Sequence, residues 1–219
     1  MTTQKKDLFM LVNKELERID WSQSKLSLNY NTYRKRVIGD GSCYFHAIID
    51  AFFLPIRTGV LDGQPFDRFQ FVRKFRADLA KLLLQPRPGY GGKTYYETLS
   101  RGELKDLSTS LKEVSIENMM NLLNSGNSVS YIYHELISDV LDLDIYILNA
   151  ENEDVYMIDS DLNLYYKGRN SIVLFYLPGH FELVSIMRKN ELITYFEAKD
   201  PFIKKIKKRL NQIKAELKP

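Results

Sequence analysis

The ten residues 39–48 join a glycine turn to an amphipathic helix pattern, and they contain the single cysteine of the chain. An apolar extended segment ends at residues 37–38, and the Gly-Asp-Gly of residues 39–41 has the composition of a tight turn. Ser42 is a residue type favoured at a helix N-cap. The apolar residues that follow have the spacing of one buried helix face: Tyr44, Ala47, Ile48, Ala51 and Phe52. The pattern predicts a helix whose first turn carries Cys43.

A cysteine in the first turn of a helix is a candidate nucleophile. Free backbone N–H groups and the positive end of the helix dipole favour a thiolate there. Glycine leaves room for backbone N–H groups to approach a carbonyl, as an oxyanion hole requires. Gly41 and Ser42 are therefore candidate turn and oxyanion residues. The alternative interpretation of Cys43 is an inert, small hydrophobic residue.

Two blocks carry a resemblance to a known family. Residues 40–47, Asp-Gly-Ser-Cys-Tyr-Phe-His-Ala, resemble the Asp-Gly-x-Cys-x-(Phe/Tyr)-(Arg/His)-(Ala/Ser) signature of ovarian-tumour (OTU) domain cysteine proteases, the papain-like deubiquitinases. Residues 180–184, His-Phe-Glu-Leu-Val, fit the second block of that family. The resemblance spans residues 37 to about 187. It implies an α+β papain-like fold, with a central antiparallel sheet packed between helices and the catalytic cysteine at a helix N-terminus.

The resemblance also implies roles for individual residues. Cys43 is the expected nucleophile and His180 the expected base. Asp40 matches the aspartate three residues before the cysteine and is expected to shape the turn and the oxyanion hole. Phe181 matches the aromatic residue that walls a channel for a diglycine tail. Glu182 departs from the Asp or Asn common in OTU enzymes, so either it orients the His180 ring or another polar group does.

Reasoning from the residues leads to the same base. His46 lies on the same helix as Cys43, and the OTU pattern accepts arginine at its position, so it is assigned a structural role. His134 lies inside an amphipathic helix pattern and is expected to be satisfied by hydrogen bonds. His180 follows a Pro-Gly turn at the rim of a predicted sheet, from which its ring can project toward a helix N-terminus. Glu182 shares its face because alternate residues of a strand point to the same side.

Helix patterns precede strand patterns along the chain, as in an α+β fold. Apolar spacing predicts helices over residues 6–19, 66–84, 94–124 and 129–141. Runs of β-branched and aromatic residues predict strands over residues 145–148, 155–158, 172–176, 181–187 and 192–196. We therefore divide the chain into an N-terminal helical extension (1–30), an OTU-like catalytic domain (31–199) with a variable helical arm at about 85–130, and a basic amphipathic C-terminal helix (200–219).

The formal charge of +3 is unevenly distributed. Residues 201–219 hold seven basic side chains and one acidic one, whereas the other 200 residues hold 24 basic and 27 acidic ones. Asp200 followed by Pro201 predicts a helix start. Apolar residues then step by three and four: Ile203, Ile206, Leu210, Ile213 and Leu217. This helix is expected either to dock on the body with its lysines in water or to bind a membrane surface or a partner.

Other features limit the class of protein. The basic triplet at residues 34–36 is interpreted as a solvated edge rather than a phosphate or nucleic-acid contact, and no nucleic-acid partner is expected. The glycine-rich residues 86–92 lack the GxxxxGK(S/T) order of a phosphate-binding loop. No apolar run reaches the roughly 18 residues of a membrane span, and the N-terminus lacks signal-peptide features. With one cysteine the chain forms no internal disulfide. We therefore expect a cytoplasmic protein, in the host cytoplasm if it comes from a pathogen.

The function implied by the resemblance is that of a deubiquitinating cysteine protease. It hydrolyses (iso)peptide bonds after the C-terminal glycine of ubiquitin or a ubiquitin-like modifier, with ubiquitin or polyubiquitin as partner and without a metal or organic cofactor. Acidic loop residues are candidates to meet arginines of the modifier: Glu151, Glu153, Asp154, Asp159 and Asp161. The alternatives are a non-catalytic ubiquitin-binding scaffold and a cysteine protease that processes another polypeptide. The small OTU domain with helical insertions looks similar to those of viruses and intracellular bacteria.

Overall fold

A computed structural model of the chain describes residues 16–28, 31–129 and 131–217. Within these ranges the main sheet contains β1 (Leu16–Arg18), β2 (Thr32–Lys35), β5 (Asp144–Asn149), β6 (Asp154–Val155), β7 (Ser171–Leu177), β8 (His180–Arg188) and β9 (Glu191–Ile193). A separate hairpin consists of β3 (Val60–Leu61) and β4 (Gln64–Pro65). The order across the main sheet is β1-β2-β8-β7-β5-β6, and β9 pairs with β8.

The main sheet is mixed rather than wholly antiparallel. Strands β5 and β7 run parallel over six residue pairs, and the other pairs of the main sheet are antiparallel. The parallel pair arises because β6 and a loop carry the chain back before β7 begins. Side chains alternate with a period of two in parallel and antiparallel strands alike, so the sequence pattern did not predict the parallel pair.

The helices are α1 (Cys43–Phe52), α2 (Leu54–Thr58), α3 (Arg68–Leu82), α4 (Tyr95–Thr98), α5 (Glu103–Leu107), α6 (Ile116–Ser125), α7 (His134–Val140) and α8 (Pro201–Glu216). The predictions of a long helix within 66–84 and of irregular helices within 94–124 are confirmed. None of these helices is long and apolar enough to cross a bilayer.

Alternate residues of the central strands enter two cores, one on each face of the sheet. One core joins α1, α3, α6 and α7 to the sheet through Ile145, Ile147, Ile172, Leu174 and Leu183. The other joins α8 to the opposite face through Tyr146, Leu148, Val173, Phe175 and Val184. The period of two along each strand produces this division. The α+β class, with the sheet packed between helices, is confirmed.

The C-terminal helix is docked, as one of the two interpretations predicted. Its N-cap residue, Asp200, accepts a hydrogen bond from the Phe202 N–H at 2.8 Å, and Pro201 is the first helical residue. Arg209 is buried and pairs with Asp154 of β6 at 2.7 Å. Binding of a membrane or a partner by its exposed lysines stays a prediction.

The structure corrects the predicted elements near the N-terminus and in the sheet. The helix predicted over 6–19 lies largely outside the described residues, and where the description begins the chain forms strand β1 instead. The segment before the cysteine, which shows no apolar period, contains β2. The strand predicted over 155–158 is limited to Asp154–Val155, and the one over 192–196 to Glu191–Ile193.

His134 connects three elements from a fully buried position. Its Nδ1 accepts a hydrogen bond from the Tyr44 hydroxyl of α1 at 2.9 Å, and its Nε2 donates to the Ile145 carbonyl of β5 at 2.9 Å. Burial lowers the pKa of His134 from 6.5 to about 4. The histidine is therefore a neutral structural residue at neutral pH, and its predicted satisfaction by hydrogen bonds is confirmed.

The free energy of unfolding should decrease as the pH is lowered, because of His134. Between pH 6.5 and 4 the unfolded state binds a proton at this residue and the folded state does not, so stability decreases as pH falls through this window. Lowering the pH from 7 to 5 should cost about 2 kcal/mol through His134. Urea unfolding of the wild type and of His134→Gln at both pH values measures this loss. An equal pH dependence in the two proteins would contradict the assignment.

Candidate active site

Cys43 is the first residue of α1 and is 6% exposed. Burial raises the pKa of its thiol above the ordinary value, and the negative charge of Asp40 acts in the same direction. The backbone N–H groups of Phe181 and Tyr44 lower this pKa, but burial outweighs them. Burial of Cys43 therefore outweighs the groups at the helix start that favour a thiolate, contrary to the expectation from the helix dipole.

His180, the first residue of β8, borders the turn that leads into Cys43. A Cβ atom placed on Gly39 would lie 3.7 Å from Cε1 and 3.8 Å from Nδ1 of its ring. The next residue, Phe181, has the N–H that approaches the cysteine sulfur. The ring's other nitrogen, Nε2, lies 3.9 Å from Oε1 of Glu182. The structure thus brings together the start of α1 and the start of β8, with Nδ1 on the side of the cysteine turn.

Glu182 is buried behind His180 and has a second partner. Its Oε2 accepts a hydrogen bond from Nη1 of Arg34 at 2.8 Å. Arg34 lies on β2, which pairs with β8. Sequence reasoning placed Glu182 beside His180 but missed Arg34, because the two strands are far apart in the sequence.

The basic triplet is therefore not simply a solvated edge. Lys35 is 5% exposed, and its Nζ lies 2.5 Å from Oδ2 of Asp50 on α1. Arg36 pairs with Glu17 at 3.2 Å and is the exposed member. Pairing of β2 within the sheet turns Arg34 and Lys35 toward buried carboxylates, which a local charge pattern does not reveal.

Asp40 is engaged within the turn and with α1. Its Oδ1 accepts the Ser42 N–H at 2.9 Å, and its Oδ2 lies 3.1 Å from Nε2 of His46. Burial raises the pKa of Asp40, but the hydrogen bonds from His46 and Ser42 together lower it by more. The net pKa of Asp40 is therefore below the ordinary value. The carboxylate is placed to shape the turn. Its partner ring is His46, which is buried.

Ser42 occupies the N-cap position of α1, as predicted, but not through a side-chain cap. Its side chain makes no capping hydrogen bond, and its hydroxyl instead accepts one from Nη1 of Arg76 at 2.7 Å. Its N–H is engaged by Asp40. Ser42 therefore fixes the turn through one long-range contact, with Arg76, and one local contact, with Asp40. A backbone role for Gly41 in an oxyanion hole stays a prediction.

Arg76 of α3 joins the cysteine turn to the end of α6. It is 1% exposed, and besides Ser42 it donates to the carbonyls of Gly41, Leu122, Leu123 and Asn127 at 2.7–3.4 Å. Its guanidinium carbon lies 5.0 Å from the ring centroid of Phe45. Arg76 falls within the helix predicted over 66–84, but the sequence does not reveal these partners because they are distant along the chain.

Gly41 allows the loop after α6 to lie against the turn. Its φ is +82°, and a Cβ atom there would lie 2.5 Å from the Gly126 carbonyl oxygen. Both the left-handed backbone and the contact exclude a side chain at this position. The loop at residues 126–128 therefore lies directly beside the turn that leads into Cys43.

A groove of about 430 Å³ opens at Cys43. Phe181 lines it and packs edge-on against Tyr44, with ring centroids 5.0 Å apart. Other lining residues are Gly41, Ser128, Val129, Tyr131, Ile147, Asn149, Glu151, Tyr156, Tyr176 and Gly179. Of the five acidic loop residues, Glu151 lines the groove, whereas Asp154 and Asp161 pair with Arg209 and Arg101.

No group of three or more His, Cys, Asp or Glu side chains within residues 16–28, 31–129 and 131–217 is arranged to hold a metal ion. The candidate site contains the thiol of Cys43, the imidazole of His180, the carboxylates of Asp40 and Glu182, and the backbone of the turn.

Comparison with known proteins gives similar structures but no similar sequences. No protein-family model matches the chain, and no curated protein matches it. An OTU domain solved in complex with ubiquitin has 17% identity, a TM-score of 0.49, and an alignment covering 93% of each chain. The OTUD1 OTU domain has 17% identity and a TM-score of 0.43, covering 82% of this chain and 98% of that one. The viral OTU domain protease from Farallon virus has 16% identity and a TM-score of 0.36, covering 74% and 85%. All three are OTU domains.

Replacing Arg76 should destabilise the protein strongly. Arg76→Met leaves buried carbonyls at the end of α6 without donors, so we expect a loss of about 3 kcal/mol or more in the free energy of unfolding. Arg73 lies on the same helix and is exposed, so Arg73→Met should change stability by no more than about 0.5 kcal/mol. Urea denaturation of the two variants makes the comparison. Equal effects would show that Arg76 does not hold the turn and α6 together.

Two glycines on either side of the same contact give a second test. Gly126→Ala introduces left-handed strain only, because nothing lies within 4 Å of its new Cβ, and should cost about 1 kcal/mol. Gly41→Ala adds the overlap with the Gly126 carbonyl and should cost clearly more, since the loop must leave Arg76 to make room. Thermal unfolding of both variants measures the difference. Similar losses would mean that the loop does not press on the cysteine turn.

Proposed function

We propose that this chain is an OTU-type cysteine protease that hydrolyses (iso)peptide bonds after the C-terminal glycine of ubiquitin or a ubiquitin-like modifier. The observation that carries the proposal is the meeting of Cys43, at the start of a buried helix, with the start of β8, where His180 is backed by Glu182. The groove that opens at the sulfur supplies a place for the substrate.

The mechanism follows from the acidity of the buried thiol. Because burial raises the pKa of Cys43, the thiol transfers its proton to Nδ1 of His180 as the sulfur attacks the substrate carbonyl. Glu182 stabilises the imidazolium from the Nε2 side. The imidazolium then gives its proton to the departing lysine amine, leaving a thioester with the modifier's glycine. Water activated by His180 hydrolyses that thioester and restores the thiol.

The groove favours a narrow, flexible peptide end. Phe181, Tyr44 and Tyr176 place aromatic rings along it, and Gly41 and Gly179 contribute surface without side chains. A tail that ends in two glycines passes such walls, whereas larger side chains beside the scissile bond would clash with them. Glu151 lines the same groove and is placed to meet an arginine further along the tail.

A ubiquitin probe with a C-terminal electrophile tests both the nucleophile and the modifier. We expect a covalent adduct, mapped by mass spectrometry to Cys43, and none with Cys43→Ala. Matched probes built on ubiquitin-like modifiers report which of them the groove accepts. A folded protein that reacts with none of these probes, and cleaves none of the corresponding conjugates, would refute the proposed substrate class. Cleavage that persists in Cys43→Ala would refute the nucleophile.

His180 and His46 provide a matched pair of variants. His180→Ala removes the base and should reduce kcat by about 10²-fold to 10⁴-fold. His46→Ala removes a partner of Asp40 and should mainly reduce thermal stability. Steady-state cleavage of a fluorogenic ubiquitin substrate, together with thermal unfolding, separates the two effects. The assignment of the base fails if His46→Ala loses activity and His180→Ala keeps it.

A further inference from the structure

Glu182 is a buried carboxylate whose two oxygens have different partners. Oε1 lies 3.9 Å from Nε2 of His180, and Oε2 accepts a hydrogen bond from Arg34 at 2.8 Å. The Glu182 side chain is 5% exposed, so water does not replace a lost partner. A buried carboxylate without a charged partner is costly, and it either takes up a proton or changes its position.

Arg34 is itself held from two further sides. Its Nη2 bonds to Glu17 on the neighbouring strand β1. Its guanidinium carbon lies 5.9 Å from the ring centroid of Phe175, the residue directly opposite Glu182 in the pairing of β7 with β8. These contacts fix the guanidinium independently of Glu182.

The register explains why a glutamate occupies this position. Arg34 lies opposite Val184, so Glu182 is its diagonal neighbour on the same face of the sheet. Diagonal neighbours are further apart than direct ones and require long side chains to meet. The additional methylene of glutamate, compared with aspartate, lets one oxygen reach Arg34 while the other stays near His180.

We propose that Arg34 is a positioning residue that holds Glu182 by one oxygen and thereby keeps the other oxygen directed at His180. Glu17 supports Arg34 from β1, so the line of contacts runs from the edge of the sheet to the base. This inference rests on the proposed function, because it assigns Arg34 a role in that reaction. Arg34 touches neither the substrate groove nor Cys43, so it acts only through Glu182.

The experiment compares Arg34→Gln, Arg34→Lys and Arg36→Gln in the full chain. Arg34→Gln should lower kcat for a fluorogenic ubiquitin substrate by about 10-fold to 100-fold, with KM within about twofold of the wild type. Arg34→Lys keeps the charge and should recover part of the loss. Arg36 pairs with the same Glu17 but is 64% exposed, and no contact joins it to Glu182, so Arg36→Gln should leave kcat and KM unchanged.

Two further measurements make the result specific. In a Glu182→Gln background, Arg34→Gln should cause no additional loss, because both changes break the same contact. Alkylation of Cys43 by iodoacetamide reports the activated thiol without any modifier, and should slow to the same extent in Arg34→Gln and Glu182→Gln. Thermal unfolding identifies any variant that fails to fold. If Arg34→Gln does not fold, Arg34→Lys replaces it and must lower kcat at unchanged KM.

The outcomes separate this inference from the proposed function. If the wild type cleaves no modifier but both variants slow alkylation, the positioning role stands and the proposed substrate fails. If cleavage occurs and folded Arg34→Gln matches the wild type in kcat, KM and alkylation, the positioning role is overturned. Faster turnover in Arg34→Gln also overturns it, because Arg34 would then compete with His180 for the carboxylate.

Discussion

The hydrogen bonds of Arg76 hold the turn before Cys43 and one wall of the groove in a single unit. The last carbonyls of a helix have no partners within that helix, and a cation is favoured at this end of its dipole. Arg76 satisfies the carbonyls of Leu122 and Leu123 at the end of α6 and also bonds to Ser42 in the cysteine turn. Because the guanidinium is buried, none of these bonds exchanges readily with water. The turn and the groove wall therefore cannot shift independently.

A second arginine performs a comparable task on the other side of the site. Arg34 ties the strand that carries His180 to β2, and its partners are carboxylates rather than carbonyls. The difference in partners matches the two tasks. Neutral carbonyls let Arg76 organise the turn without placing another negative charge near a thiol whose pKa is already raised. A carboxylate beside His180 faces Nε2 of the ring and is placed to orient it for the proposed reaction.

The sequence predicted those helices and strands that are determined by residue patterns within the element itself. The start of α1, the Asp200-Pro201 start of α8 and the central strands each follow from patterns spanning a few residues. Strand β2 was missed because it is polar and short, and it becomes a strand only by pairing with β8, about 150 residues later. Ser42 occupies the predicted N-cap position, but its hydroxyl does not cap the helix because it accepts a hydrogen bond from Arg76, 34 residues away. Local propensity is overridden wherever a distant partner offers a better contact.

The position of the Cys43 sulfur and the pKa of its thiol have different structural causes. A helix start favours a thiolate locally, but packing of α1 into the core removes the sulfur from water, and burial is the larger effect. The local sequence thus places the sulfur while long-range packing makes it a poor acid. In the proposed reaction, activation comes from groups that the sheet supplies: the N–H of Phe181 and the His180 ring with Glu182 behind it. A chain with the same cysteine turn but a shifted β8 register would keep the thiol and lose its means of ionisation, since a one-residue slip turns His180 to the opposite face.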